Sequence, residues 1–107
     1  MSDPSRLDLL REMVAADPDD LMARLLLGQD LVTAGRAEEA VAELTIYVDR
    51  FHGDKGAACG SLARALESLG RVGEAVAALR RGIENAHAHR HLQLAAQLEA
   101  DLDRLSG

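Results

Sequence analysis

One pattern leaves this chain little choice of architecture. Leu27, Leu31, Gly35, Arg36, Glu39, Ala40, Val41, Ala42 and Leu44 return 35 places later as Leu62, Leu66, Gly70, Arg71, Glu74, Ala75, Val76, Ala77 and Leu79. A period of that size, spanning two helical stripes and a glycine turn, marks helical hairpins stacked on one another. Each hairpin buries its apolar face only against its neighbours, and the stack presents long surfaces that serve mainly to hold other molecules. The sequence therefore predicts an all-α binding scaffold without naming what it binds.

Composition narrows the reading further. A chain of 107 residues suits one core and is short for two. With one Tyr and one Phe (Tyr47 and Phe51), the core must come from Leu, Val and Ala, which favours closely packed helices over a sheet. The net charge of −6 repels phosphate, so nucleic acid and anionic membrane are excluded as default partners. Cys59 is the single cysteine, which rules out an intrachain disulfide, a Cys-based zinc site and a CxxC redox pair. No leader-like start and no long apolar run is present, so a reducing cytoplasm is the expected compartment.

Punctuation divides the chain into six helical segments. Ser2 or Asp3 is expected to cap the first, with Pro4 in its first turn and Leu7, Leu10, Met13 and Val14 as its stripe. Asp17-Pro18-Asp19-Asp20 ends it and starts the second, with Pro18 in the new first turn; Gly35 stops that helix as a left-handed cap. The third runs from about Ala37 to Phe51, burying Ala40, Val41, Leu44, Tyr47, Val48 and Phe51. Gly53 and Asp54 break the chain, the fourth helix closes at Gly70, and the fifth runs from Val72 to about Ala86. The last, from about His89 to Leu105, carries Leu94, Leu98, Leu102 and Leu105. Thr45-Ile46-Tyr47-Val48 has strand-like composition, but its repeat partner Arg80-Arg81-Gly82-Ile83 lies in an Ala-rich helical pattern, and the helix reading is kept.

The pattern resembles the tetratricopeptide repeat family, of the small bacterial type. The residues that carry the resemblance are Arg24, Leu27, Gly28, Leu31, Ala40 and Leu44 in one unit and Cys59, Leu62, Ala63, Leu66, Ala75 and Leu79 in the next. GRAEEAVAEL (Gly35 to Leu44) and GRVGEAVAAL (Gly70 to Leu79) are similar to the family's turn and second-helix start. The small residues Gly28 and Ala63 are expected to let each first helix approach the second, where Ala40 or Ala75 faces it. Departures are visible: Arg24 or Cys59 stands where the family has an aromatic, Leu31 or Leu66 where it has the second. Tyr47 or Gly82 replaces a small residue, His52 or His87 replaces the closing Pro, and one residue is added near Gly53. The resemblance implies a right-handed superhelix of antiparallel hairpins in one domain, with a half-repeat helix at 4–16, repeat one at 19–52, repeat two at 55–87 and a capping helix at 89–105. Two full units are close to minimal, and the first helix, lacking its own partner, is expected to leave apolar surface open.

The resemblance also implies where a ligand sits, because first helices line the concave face in such proteins. The groove residues would be Met22, Leu25, Gln29, Val32 and Thr33, then Ala57, Gly60, Arg64, Glu67 and Ser68, with His91 or Gln97 added by the last helix. An apolar strip beside Arg64 suits a short extended or helical peptide; the plainer reading is that Met22 and Leu25 pack against the first helix. Family members that clamp a terminal carboxylate on chaperone tails use Lys and Asn. Leu25, Gln29, Gly60 and Arg64 hold the matching places here, so that clamp is absent.

Other chemistry reads as bland. His87, His89 and His91 suggest a metal site, but Arg90 adds positive charge and no Cys is near, so a solvated turn is the better account. Cys59 reads as a buried, inert thiol; a reactive one needs an open electropositive site, with Lys55 its nearest candidate. No nucleophile elbow, phosphate loop or His–carboxylate set is visible, so no enzyme and no cofactor is expected. The function expected is a non-catalytic scaffold for a peptide or protein segment. The rival is a homo-oligomerisation module using the groove or the exposed face of the first helix around Leu9 and Met13. Membership of a longer array is a third reading, against which the start at Met1 argues.

Overall fold

The computed structural model describes residues 5–106. These form α1 (Arg6–Ala16), α2 (Leu21–Thr33), α3 (Ala37–Arg50), α4 (Ala57–Ser68), α5 (Val72–Ala88) and α6 (Leu92–Ser106), with no strand among them. Consecutive helices pack as antiparallel neighbours. α2 also touches α4, while Arg11 ties α1 to α3 and Arg81 ties α5 to α3. The molecule is thus two layers: α2, α4 and α6 inside, α1, α3 and α5 outside. The core runs through both hairpins, with Leu27, Leu31, Leu44, Leu79 and Cys59 the largest fully buried side chains.

Local chemistry sets the helix ends. Ser5 caps α1, its hydroxyl accepting from the Asp8 N–H at 3.1 Å, and Asp20 caps α2 by accepting from the Ala23 N–H at 3.0 Å. The proposed caps Ser2 and Asp3, with Pro4, lie outside the described residues. Pro18 stands in the turn ahead of Asp20 rather than in the first turn of α2, because Asp20 is the capping residue. α2 and α4 end alike: Gly35 and Gly70 turn the chain at φ of 78° and 76°, and the next N–H bonds back to the carbonyl of Leu31 or Leu66 at 2.9 Å. That recurrent cap is the physical content of the repeated Gly-Arg pair. Arg90 takes the same left-handed place after α5, with φ 56°.

Further expectations change. Val41 is half-buried, not buried, and α6 begins at Leu92, not His89, because His89 and Arg90 form the turn, with Arg90 left-handed. Phe51 is exposed, not buried: α3 ends at Arg50, the backbone of Phe51 turns extended, and its ring rests on Gly53, 5.3 Å from the Tyr47 ring. α5 runs two residues past Ala86, so His87 is helical and the turn begins at His89. Gly28 opens space for Leu44 rather than for Ala40: a Cβ on Gly28 would sit 2.5 Å from Leu44 Cδ2.

α6 continues the inner layer. Its buried residues Ala95 and Leu98 and half-buried Leu102 repeat Cys59, Leu62 and Leu66 after 36 places, one more than the period of the hairpins. It packs on α5 and reaches α4, where Leu98 lies 3.0 Å from the position a Cβ would take on Gly60.

Candidate functional site

The inner layer carries the residues that sequence reasoning assigned to a groove, and they fall into separate environments. Val32, Arg64 and Ser68 meet in a cleft of about 610 Å³, closed by Gly35, Arg36, Ala37, Glu38, Glu39, Ala65 and Leu69. It lies where the C-terminal ends of α2 and α4 meet the start of α3. Val32, Ala37, Ala65 and Leu69 give it apolar walls; Arg36 and Arg64 are exposed at its edge.

Gly60, Arg64 and Glu67 share a smaller cleft of about 140 Å³ with Gln97, Asp101 and Arg104 of α6. Here the last helix covers the face of α4. Arg104 grips Glu67 with two hydrogen bonds, at 2.6 and 3.0 Å. That guanidinium holds the Glu67 carboxyl below the usual carboxylate range, as Arg11 does for Glu39. Arg64 borders both clefts.

The remaining groove residues line neither cleft. Met22 is 56% exposed, Thr33 and Ala57 are exposed, and Leu25 and Gln29 are half-buried, with Leu25 packed against the core. Thr33 donates its hydroxyl hydrogen to the Gln29 carbonyl and Ser68 donates to the Ala65 carbonyl, so both hydroxyl protons are held by their own helices. Gln97 reaches the smaller cleft; His91, exposed ahead of α6, lines neither.

Arg charge is distributed unevenly. Among the described residues seven arginines (Arg6, Arg11, Arg24, Arg50, Arg71, Arg81 and Arg104) pair with carboxylates. Arg36, Arg64, Arg80 and Arg90 do not, and the first two border the larger cleft. Sequence reasoning named Arg64 and missed Arg36 with its turn, although the repetition of Gly35-Arg36 as Gly70-Arg71 marked that turn as a fixed feature. Which turn meets which neighbouring helix depends on how the hairpins stack, and periodicity alone does not show that.

The other polar groups serve the fold, although the buried Nε of Arg24 has no hydrogen-bond partner among the described residues. Arg24, 7% exposed, donates to Glu43 at 2.6 Å and to the Pro18 carbonyl at 3.0 Å, filling a packing position with an ion pair. Cys59 is buried, and desolvation pushes its thiol up to about 11. His87 lies 3.5 Å from Glu99, and His89 Nδ1 lies 2.9 Å from the Asn85 carbonyl. Among the described residues no three His, Cys, Asp or Glu side chains converge as metal ligands, and no helix is long and apolar enough to cross a membrane.

Comparison with known proteins agrees with this architecture. The solution structure of a protein from Bordetella parapertussis superposes with a TM-score of 0.81 at 23% identity, covering 99% of this chain and 90% of that one. No curated protein matches the sequence. The sequence profile described as Tetratricopeptide repeat matches residues 2–87, both hairpins and the helix before them. The chain belongs to the tetratricopeptide repeat family.

Proposed function

We propose that this protein is a binding scaffold whose inner layer takes a peptide or protein segment, with the cleft at Val32, Arg36, Arg64 and Leu69 as the main contact. Tetratricopeptide repeats are in general non-catalytic interaction modules. The observation that carries the finer reading is that Arg36 and Arg64, neither in an ion pair, border a cleft with apolar walls that Glu38 and Glu39 also line. A ligand offering an apolar side chain beside an Asp or Glu would bury the one on Val32, Ala65 and Leu69 and pair the other with Arg64. Met22, Leu25, Gln29, Thr33, Ala57 and Gly60 would extend the contact along the layer, with Glu67 and Ser68 at its edge.

A peptide-display library panned against the chain and against Arg64→Glu tests this. Enrichment of peptides with an acidic residue next to an apolar one, lost on the variant, is expected. Equal enrichment on both would remove the cleft from the account.

A second reading, self-association, draws support from Leu9, Met13 and Met22, which are 52%, 48% and 56% exposed at the N-terminal end. Met13 near the end of α1 and Met22 near the start of α2 flank the acidic turn Asp17 to Asp20, and a second copy seated there would bury exposed apolar side chains on both sides of it.

A further inference from the structure

Equivalent positions of the two hairpins differ in what covers them. Inside the molecule, α5 packs on α4 and reaches α3 through Arg81, which donates to Asp49 at 2.9 Å and to the Val48 carbonyl at 2.7 Å. Val48 is 4% exposed. One period of 35 residues later, the same positions are Ile83 and Glu84. They border the corresponding groove, between α5 and α6, of about 650 Å³, lined by Arg80, Ile83, Glu84, Glu99, Leu102 and Asp103.

No described segment fills that groove. Ile83 is half-buried where Val48 is buried, and Leu102 is half-buried where its counterpart Leu66 is buried. Among the described residues Glu84 and Asp103 have no ion-pair partner, and Glu99 has only His87, at 3.5 Å. The rim therefore holds three carboxylates against the single guanidinium of Arg80.

We propose that this groove docks one amphipathic helix of a partner protein, apolar towards Ile83 and Leu102 and carrying an arginine or lysine that reaches Glu84. The interior contact supplies the template, since Asp49 of α3 is met by Arg81 of α5, two helices on. The carbonyl half of that contact is not repeated. α5 runs on to Ala88, so the Ile83 carbonyl lies well inside its helix, whereas that of Val48 lies in the last turn of α3. The polar part of docking thus falls to the carboxylates, which select a basic helix. The α1 helix of a second copy has the shape, with exposed Leu9 and Met13, but Asp8 and Glu12 accompany them on its exposed side and would meet the acidic rim. This site is separate from the inner-layer cleft and does not depend on that reading.

The probe is a fluorescein-labelled peptide of residues 72–88, the sequence of the helix that borders the equivalent interior groove and supplies Arg81 to it. It is titrated into the full chain by fluorescence anisotropy, beside the same peptide with Arg81→Glu. Saturable binding to the wild type at micromolar concentration is expected. Either Glu84→Lys in the protein or Arg81→Glu in the peptide should weaken it about tenfold, and combining the two reversals should restore it. Glu84 is exposed, so its reversal spares the fold, which circular dichroism checks. Absent binding, binding indifferent to Glu84→Lys, or binding lost instead with Arg64→Glu would overturn the proposal. So would a dimer of the chain that Glu84→Lys dissolves, because the occupant would then be a second copy.

Discussion

Gly28 and Gly73 both lie in helices, yet a methyl group added to each should act in opposite directions. At Gly28 the new carbon would fall 2.5 Å from Cδ2 and 2.6 Å from Cγ of Leu44, a side chain with 0% exposure and no room to swing away. Overpacking of that kind costs about 1–3 kcal/mol, against a helix-propensity gain of up to about 1 kcal/mol. Gly28→Ala should therefore lower the melting temperature by several degrees. Gly73 has nothing within 4 Å, and Gly73→Ala should raise it, by about 0.5 kcal/mol of stability. Thermal melts followed by circular dichroism separate the two, and a stabilised Gly28→Ala would contradict the close packing described. Residue identity was legible in the sequence to differing degrees. Gly28 could be read as a packing residue but not assigned to Leu44, and Arg24 could be seen to break the family pattern but not to meet Glu43. Both depend on the rotation of one helix against another.

At the scale of elements, the covering of α4 by α6 decides how much of the inner layer stays open. Arg104 and Glu67 form the polar part of that contact. The folded state holds Glu67 below its ordinary pKa, so it binds fewer protons than the unfolded chain. The resulting stability is present above the unfolded value near 4.5 and is lost as pH falls through the lower folded value. The pair is solvent-exposed, so the effect is small. Melting temperatures measured from neutral pH down through the carboxylate range should fall less steeply for Arg104→Met than for the wild type; equal slopes would show that the pair contributes nothing. The elements themselves were largely legible, because stripes, caps and glycine turns are local. What was not legible followed from tertiary fit. Phe51 left the core because α3 stopped one residue early, and α6 entered the inner layer with a spacing of 36 that the period of 35 did not announce.

The whole molecule is a short two-layer stack with three surfaces of different character. The inner-layer cleft carries Arg36 and Arg64 beside Glu38 and Glu39, the C-terminal groove carries three carboxylates against Arg80, and the N-terminal end exposes Leu9, Met13 and Met22. The stacking principle was legible from periodicity; the partition of the surface was not, since it depends on which side chains find partners across helices. If, as proposed, these surfaces hold other molecules, the chain does not chiefly hold itself. Light scattering across a concentration series, for the wild type and for Leu9→Glu with Met13→Glu, tests it most directly. A monomer of 11.5 kDa is expected for both proteins throughout. A wild-type species of twice that mass, reduced to monomer by the two substitutions, would contradict it and make self-association the function of the N-terminal face.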